Sequence, residues 1–293
     1  MAELIAYLGP AGSYSEQAAV KYAPRLEKIQ LEKIKDIMRS VSLGVPAGLC
    51  GIVPIENMLA GGVDDTLDSF LNRRYPVGDT LDKLAESKNI FIISEIDVRV
   101  NHVLMALPGV KDTDIRCIYS HAQALAQCKD FLEEKFPQAE IFSAFSTSWA
   151  AQYIEEKKLL NFAAIGAKFA ARKYNLAVLH EDIAKQKNNV TRFVVLGKGI
   201  KYPPRDAITS FVFSCRQDKP GGLHEILGCL AREKINMTKI ESRPSKAAMG
   251  DYIFFIDIGG TPQNEKVYAA LRNIEKHSAP DSFRILGVYQ RRR

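Results

Sequence analysis

The sequence predicts an α/β protein whose last third is a separate ferredoxin-like unit. Short apolar strands alternate with helical patterns in the first part of the chain, and a stretch at 199–206 breaks this alternation before a different order of elements begins. Alternating strands and helices favour layered α/β structure with largely parallel sheets. Because Pro203-Pro204 in the break is typical of a linker, we expect two domains in the 293 residues.

The predicted strands of the first part end in polar or glycine-rich segments. The first strand, Leu4 to Leu8, ends at Gly9-Pro10-Ala11-Gly12-Ser13, and a helix pattern covers Glu16 to Tyr22. A second apolar strand, Gly51 to Pro54, runs into Ile55-Glu56-Asn57. The remaining elements continue the alternation, with strands at 90–94, 98–106, 115–119, 163–166 and 193–197, and helices at 123–136 and 148–157.

After the linker, the predicted elements follow the order β-α-β-β-α-β. Strands are expected at 208–215, 235–241, 251–258 and 283–289, and helices at 223–233 and 265–276. This order is that of the ferredoxin-like unit.

Composition and charge narrow the class of function. The formal net charge of +6 favours an anionic partner without distinguishing a small carboxylate from nucleic acid. Basic and aromatic residues do not alternate as a base-stacking surface requires, so nucleic acid is not expected. The five cysteines form no CxxC pair, which disfavours a disulfide framework or a zinc site and fits a cytoplasmic protein. No signal peptide or membrane-spanning segment is predicted.

The glycine-rich segment after the first strand could bind an anion. Backbone N–H groups near Gly12 and Ser13 would be exposed where a strand turns into a helix. Ser13 followed by Glu16 also fits a capping box, and a tight turn with a cap is the simpler interpretation. No nucleotide-binding motif is present.

Polar residues also follow several other predicted strands. Glu56 and Asn57 lie at a strand end, where open α/β sheets bind ligands, although an ordinary exit from a strand explains them equally well. His102 and His121 could act as acid, base or ligand, and a structural role is favoured for His102. The hydroxyl groups of 146–148 precede a helix pattern, where capping or carboxylate binding would account for them.

The segment Asn189-Val190-Thr191-Arg192-Phe193 opens an apolar strand. A hydroxyl beside a guanidinium could hydrogen-bond a leaving hydroxyl while the cation holds a carboxylate. On physical grounds alone, a β-branched residue and a surface arginine on an edge strand are the simpler interpretation.

Taken together and in this order, the segments resemble the prephenate dehydratases. The likeness rests on the order of the motifs, and the segment at Thr191-Arg192-Phe193 is the most diagnostic one. The C-terminal unit is similar to an ACT domain through Gly221-Gly222-Leu223-His224 and Glu241-Ser242-Arg243-Pro244. The other matching segments are Gly9 to Ser15, Pro54 to Asn57, Asn101 to Leu104, Ser120 to Leu125, Ser146 to Ser148 with Ala150-Ala151, and Ala163 to Gly166.

The chain departs from the family pattern at four positions. Met58 stands where serine is usual, Ala122 where proline is usual, and Gly222 where alanine is common. Lys185, six residues before Thr191, replaces the usual aspartate or asparagine. If Met58 and Lys185 border the substrate, they leave arogenate open as an alternative to prephenate.

The resemblance implies a fold and an activity. The fold would be a two-lobed periplasmic-binding-protein-like catalytic domain at 1–200, with lobe one at 1–97 and 178–200 and lobe two at 98–177, followed by an ACT domain at 207–290. The reaction would convert prephenate to phenylpyruvate with loss of water and carbon dioxide, with no metal and no redox cofactor. Phenylalanine would act as the effector, and the chain would assemble as a homodimer or homotetramer.

The resemblance also implies site residues. Thr191 would hydrogen-bond the leaving hydroxyl, and Arg192 or the N–H groups near Gly12 and Ser13 would hold carboxylate charge. Glu56 and Asn57 would line the cleft as catalytic residues beside Thr191 and Arg192. The other substrate contacts would come from Ser120, His121, Gln123, Thr147 and Phe193. The effector would contact Gly221, Gly222, Leu223, His224, Glu241, Ser242, Arg243 and Pro244.

Three alternative functions remain open at this point, one of them a decarboxylase that keeps the hydroxyl. An arogenate dehydratase would keep the same motifs. A non-enzymatic amino-acid sensor would keep the effector motifs but would have no reason to keep Thr191-Arg192-Phe193.

Overall fold

A computed structural model describes residues 3–72, 74–203, 205–216, 220–245 and 251–292. Pro204, in the predicted linker, lies outside the described residues. The contacts divide the chain into two compact units. Unit 1 consists of Met1–Ile37, Ile52–Val63 and Asp97–Phe193, and unit 2 of Met38–Gly51, Asp64–Ile96 and Val194–Arg293.

The elements alternate between strands and helices as the sequence predicts. Up to residue 198 the described chain forms β1 (Leu4–Leu8), α1 (Tyr14–Tyr22), β2 (Glu27–Leu31), α2 (Ile34–Leu43), β3 (Leu49–Asn57), β4 (Gly61–Gly62), α3 (Asp64–Phe70), β5 (Ile90–Arg99), β6 (His102–Ala106), β7 (Cys117–Ser120), α4 (Ala122–Gln127), α5 (Lys129–Lys135), β8 (Glu140–Ser143), α6 (Thr147–Lys157), β9 (Phe162–Ala167), α7 (Lys168–Lys173), β10 (Ala177–His180) and β11 (Val190–Lys198). The remaining elements are β12 (Ala207–Ser214), α8 (Gly222–Arg232), β13 (Met237–Pro244), β14 (Tyr252–Gly259), α9 (Glu265–His277) and β15 (Arg284–Arg292).

Unit 1 contains a five-stranded sheet with the order β10-β6-β9-β7-β8. The sheet is mixed, since β7 runs parallel to β8 and β9 whereas β6 runs antiparallel to β9 and β10. Every residue of β6 is buried, and Ile154 of α6 packs with Ile165 of β9 in the same core. Elsewhere in unit 1, β1 and β2 pair in parallel.

Two predictions for unit 1 are wrong in the same way, because a single predicted element is two elements in the structure. The strand predicted at 98–106 is two strands, because β5 ends at Arg99 and β6 begins at His102 in a different sheet. The helix predicted at 123–136 is α4 and α5, because Cys128 adopts φ −104° and ψ 9° and interrupts the regular helix. Neither break has a glycine or proline to mark it in the sequence.

Helix caps fix the chain where strands turn into helices in unit 1. The Ser13 hydroxyl accepts a hydrogen bond from the N–H of Glu16 at the start of α1, which is one half of the predicted capping box. The Glu16 carboxylate accepts from the N–H of Gly12 instead of that of Ser13. Ser146 caps α6 and His121 caps α4 in the same way. Gly12 has φ +80°, and a Cβ there would lie 2.9 Å from Tyr174, so this turn needs a glycine.

Unit 2 contains the predicted ferredoxin-like unit. The strand order β13-β14-β12-β15 is antiparallel throughout, with α8 and α9 as its two helices. Its core is apolar and includes Phe211, Phe213, Ile256, Leu271, Ile274 and Ile285. The last strand, β15, also pairs in parallel with β5, and a Cβ at Gly287 would collide with the backbone of Ile92. The fold class predicted from the sequence is confirmed.

No described helix combines the length and the apolar character that a bilayer crossing requires.

Candidate active site

A cavity of about 350 Å³ in unit 1 contains several of the predicted site residues. Thr191, Asn57, His121, Gln123 and Thr147 all line it. The lining as a whole comes from the ends of strands and helices and from the loops beside them. It consists of Tyr14, Asn57, Val63, Val100, His102, His121, Gln123, Ala124, Gln127, Phe145, Ser146, Thr147, Asn189 and Thr191. Predicted motifs that are far apart in the sequence therefore meet at one place.

Strand geometry separates Thr191 from Arg192. Successive side chains of a strand point to opposite faces. Thr191 on β11 lines the cavity, and so does Asn57 on β3, whereas their neighbours Arg192 and Glu56 do not. Arg192 forms an ion pair with Glu56, and its side chain is only 10% exposed. The roles predicted for Arg192 and Glu56 at the substrate stay predictions.

Asn57 holds the Thr191 hydroxyl in a defined orientation. The Asn57 Oδ1 accepts hydrogen bonds from the N–H groups of Leu59 and Ala60, both at 3.1 Å. These two donors fix which end of the carboxamide is oxygen. The Nδ2 group therefore points the other way and donates to Thr191 Oγ1 at 2.9 Å. Because Oγ1 accepts here, the hydroxyl proton of Thr191 remains for donation into the cavity.

The same carboxamide connects Thr191 to further polar side chains in the cavity wall. The Asn57 Nδ2 also donates to Asn189 Oδ1 at 2.8 Å, and Asn189 Nδ2 lies 3.4 Å from Gln127 Oε1. His102 Nε2 lies 3.0 Å from the same Gln127 oxygen. On its other side, His102 Nδ1 lies 3.3 Å from the Tyr14 hydroxyl, which donates to the Asn101 carbonyl at 2.8 Å.

Burial controls the ionisation of the two ring side chains in this wall. His102 is 4% exposed, and its burial lowers the pKa of the imidazole despite the opposing effect of the hydrogen bond with Gln127. Burial also raises the pKa of the Tyr14 hydroxyl well above its ordinary value. Both groups are therefore neutral near pH 7.

Other predicted residues do not line the cavity. Ser120 is fully buried and donates to the Ile165 carbonyl at 2.7 Å, and Phe193 is buried in the interior. The N–H of Gly12 donates to Glu16 Oε2 at 2.5 Å, and that of Ser13 donates to Pro10 O at 3.3 Å. These two N–H groups have internal partners, so an anion would have to displace them. The substrate roles predicted for these four residues stay predictions.

Sequence reasoning missed four polar residues of the cavity wall. Asn189 precedes Thr191 by two positions, so strand alternation could have found it. Gln127 follows Gln123 by one helical turn of α4, which helix periodicity could have indicated. His102 was interpreted as structural, and Tyr14 carried no signal beyond its place after Ser13.

Comparison with known proteins decides the family. A profile of prephenate dehydratases matches residues 5–201, and an ACT domain profile matches residues 209–276. The chain belongs to the prephenate dehydratase family. A prephenate dehydratase of Methanocaldococcus jannaschii is 36% identical, with 99% of this chain and 98% of the relative aligned.

Two further members of the family illustrate its range. A chloroplastic arogenate dehydratase/prephenate dehydratase of Arabidopsis thaliana is 33% identical over 97% of this chain and 71% of the relative. The crystal structure of a prephenate dehydratase from Arthrobacter aurescens in complex with L-Phe is 33% identical, covers 98% of this chain and 90% of that one, and has a TM-score of 0.84.

Two of the departures from the prephenate dehydratase pattern lie outside the cavity lining. Met58 has a side chain in solvent, with 67% of the residue exposed. The Lys185 side chain is 73% exposed and forms an ion pair with Asp130 at 2.9 Å. Neither side chain lines the cavity that contains Thr191.

The ACT motifs lie at one helix start and one strand end in unit 2. Gly221 has φ +86° and precedes α8, while Glu241 to Pro244 are the last residues of β13. Arg243 is 15% exposed and forms ion pairs with Asp64 and, at 3.2 Å, with Asp68, both on α3. Its Nε has no hydrogen-bond partner within the part of the chain that the structure describes.

Within the described residues, no group of three or more His, Cys, Asp and Glu side chains is placed to hold a metal ion.

Proposed function

We propose that the chain is a lyase that converts prephenate to phenylpyruvate with loss of water and carbon dioxide. Membership of the prephenate dehydratase family supports this activity, as does the 36% identity to a relative of that name. The observation that carries the mechanism is the hydrogen bond from Asn57 to Thr191, because it leaves the threonine proton available inside the cavity.

The reaction needs a donor at one oxygen atom. The bond between the ring and its carboxylate breaks to release carbon dioxide, and the freed electron pair enters the ring as it becomes aromatic. The bond from the ring to its hydroxyl oxygen breaks with its electron pair going to that oxygen, which leaves as hydroxide and becomes water by taking one proton from solvent. Thr191 donates a hydrogen bond to the leaving oxygen. A free alcohol is a weak acid, so Thr191 contributes mainly through its position.

The lining bears on the one group that distinguishes arogenate from prephenate. Among the described residues that line the cavity, none is Asp, Glu, Lys or Arg. Arogenate carries an ammonium where prephenate carries a keto oxygen, and a buried ammonium is strongly destabilised without an anionic partner. The keto group requires only a neutral donor. Gln123, Thr147 and His121 are suitable neutral groups for the keto oxygen and the carboxylates.

Two near-isosteric variants test the role of Thr191. Thr191→Val removes the hydroxyl and keeps the shape, whereas Thr191→Ser keeps the hydroxyl. We expect the valine variant to lose about 10²-fold or more in kcat, the typical effect of removing one positioned donor, and the serine variant to stay within about 10-fold of wild type. The measurement is the rate of phenylpyruvate formation from prephenate. A valine variant with near-normal turnover would remove Thr191 from the mechanism.

A substrate comparison tests the proposed activity itself. Wild-type protein is incubated with prephenate and with arogenate in parallel, and the products are identified by mass. We expect phenylpyruvate to form from prephenate with the larger kcat/KM. Preferential formation of phenylalanine from arogenate would favour the arogenate dehydratase alternative, and no product from either substrate would favour the non-enzymatic sensor.

We further propose that phenylalanine is the effector and binds at the ACT motifs, 221–224 and 241–244. The ACT profile match and the L-Phe in the Arthrobacter aurescens structure support this assignment. Phenylalanine would inhibit by binding the less active arrangement more tightly. If saturating phenylalanine changes neither the rate nor the melting temperature, the effector assignment fails.

Domain limits, assembly and location follow as further proposals. The catalytic domain would span 1–200 and the ACT domain 207–290. Within the former, four of the five strands of the sheet β10-β6-β9-β7-β8 fall inside the lobe proposed at 98–177, which supports a separate lobe, and β10 (Ala177–His180) extends past its limit. A homodimer or homotetramer in the cytoplasm is expected, and light scattering of the purified protein measures its mass.

A further inference from the structure

The polar side chains of the cavity wall form a hydrogen-bonded series with a fixed direction. It begins at the backbone N–H groups of Leu59 and Ala60, which hold Asn57 Oδ1. Since Asn57 must then donate through Nδ2, the atom of Asn189 that faces it at 2.8 Å must be an oxygen. The orientation of one carboxamide thus determines that of the next.

The same reasoning continues to Gln127. With its oxygen facing Asn57, Asn189 presents its Nδ2 donor to Gln127, so the facing Gln127 atom must accept and is Oε1. His102 Nε2 lies 3.0 Å from that same oxygen and must therefore be protonated. In a neutral ring Nδ1 is then the acceptor, and the Tyr14 hydroxyl, 3.3 Å away, can donate to it only by sharing the single proton that it also donates to the Asn101 carbonyl at 2.8 Å. A rotated Gln127 would place its NH₂ against the NH₂ group of Asn189.

We propose that His102 is a positioning residue which, as the Nε2–H form, holds Gln127 so that its NH₂ group donates into the cavity. The inference rests on the proposed function and assigns His102 no contact with substrate. Gln127 lines the cavity, and its Nε2 has no partner among the described side chains. The series then presents two donors to an anionic substrate, the Thr191 hydroxyl at one end and the Gln127 amide at the other.

The Asn189–Gln127 contact explains why a second holding group is needed. At 3.4 Å it is the longest contact in the series, close to the limit for a hydrogen bond. The shorter contact with His102 at 3.0 Å is therefore the stronger restraint on the Gln127 oxygen. His102 is itself fixed mainly by burial, since the Tyr14 hydroxyl beside it donates to the Asn101 carbonyl at 2.8 Å.

A matched pair of variants tests this role. The side chain of His102→Gln can place an N–H near the position of Nε2, whereas the shorter His102→Asn cannot reach Gln127. We expect kcat/KM for prephenate to fall about 10-fold or more in the asparagine variant and to remain within about 3-fold of wild type in the glutamine variant. His180→Gln is the control, since His180 pairs with Asp112 and does not line the cavity. If His102→Asn does not fold, His102→Leu replaces it.

Two further measurements separate positioning from a general structural role. In a Gln127→Ala background, His102→Asn should have no further effect on kcat/KM, and nitrogen NMR of wild-type protein should show Nε2 protonated and Nδ1 unprotonated. Equal losses in both backgrounds, the opposite tautomer, or loss of activity in the glutamine variant would overturn the inference. Failure of wild-type protein to form phenylpyruvate would instead overturn the proposed function.

Discussion

Unit 1 and unit 2 hold their predicted functional side chains by different means. In unit 1, Thr191 is oriented by a neutral carboxamide, and the cavity lining contains no charged side chain among the described residues. In unit 2, Arg243 of the effector motif is held by two carboxylates, Asp64 and Asp68. A hydrogen bond between neutral groups fixes which atom donates and which accepts. An ion pair supplies charge, for which a second charged molecule can compete. This contrast suits a reaction centre in one case and a reversible effector site in the other.

The most direct test of this difference is to place a charge among the neutral, hydrogen-bonded side chains of the cavity wall in unit 1. Asn57→Asp keeps an oxygen for the N–H groups of Leu59 and Ala60 but removes the donor to Thr191. The Thr191 hydroxyl would then donate to the new carboxylate instead of to substrate. We expect kcat to fall about 10²-fold, measured by phenylpyruvate formation.

Asn72→Asp provides the control for that experiment. The Asn72 side chain also accepts a backbone hydrogen bond, from Arg74 at 2.8 Å, but it lies outside the cavity lining. It should leave kcat within about 2-fold, as surface substitutions usually do. Equal activity of Asn57→Asp and wild type would show that the orientation of Thr191 is unimportant.

Removing the charge of Arg243 in unit 2 should weaken the response to phenylalanine. Arg243→Gln removes the ion pairs that Arg243 forms with Asp64 and Asp68, and it removes the group that would contact the effector. We expect the phenylalanine concentration for half-maximal effect to rise about 10-fold or more, the usual effect of losing a charged hydrogen bond. Arg272→Gln is the control, because Arg272 pairs with Asp82 and Glu275 and is outside the ACT motifs. An unchanged phenylalanine response in Arg243→Gln would contradict the assignment.

The pH dependence of stability should reveal the buried imidazole of unit 1. Burial lowers the pKa of His102 in the folded protein, so below the ordinary value near 6.5 the unfolded chain takes up a proton more readily. Stability is therefore lost as the pH falls below about 6.5 towards the lower folded pKa. We expect the melting temperature of wild-type protein to fall by roughly a few degrees more than that of His102→Gln over this range. If the melting temperatures of the two proteins fall equally as the pH is lowered, His102 does not cause the loss of stability at acid pH.

The smallest effect is expected at an exposed ion pair. We expect Lys185 to contact neither substrate, since its exposed side chain pairs with Asp130. Lys185→Asn restores a residue that is usual in the family. The ratio of kcat/KM for prephenate and arogenate should change by less than about 2-fold, since exposed pairs contribute little. A larger change would show that Lys185 helps to select the substrate.

Local patterns predicted the elements and part of the site. Apolar runs predicted the strands, and helical periodicity predicted the helices. The β-α-β-β-α-β order predicted the ferredoxin-like unit, because each of its elements has its own local sequence pattern. Thr191 and Asn57 were found because their motifs are distinctive. Alternation along a strand also predicts that Thr191 and Arg192 point to opposite faces.

Features that depend on distant partners could not be predicted in this way. The break between β5 and β6 reflects a passage from one sheet to another, and no local signal marks it. The orientation of Gln127 depends on Asn189 and His102, which are 62 and 25 residues away in the chain. Such orientations follow from the hydrogen bonds of the whole series, so only the assembled structure defines them.

The parallel pairing of β15 with β5 affects how the chain can be shortened. In unit 2, Ile90 and Phe91 of β5 are fully buried, and Gly287 allows β15 to approach the backbone of Ile92. Truncation after the linker would strip this partner from β5 and uncover an apolar open edge. Open edges recruit strands from other molecules. A truncated catalytic fragment is therefore expected to aggregate, which makes the C-terminal unit a solubility requirement in addition to its proposed sensing role.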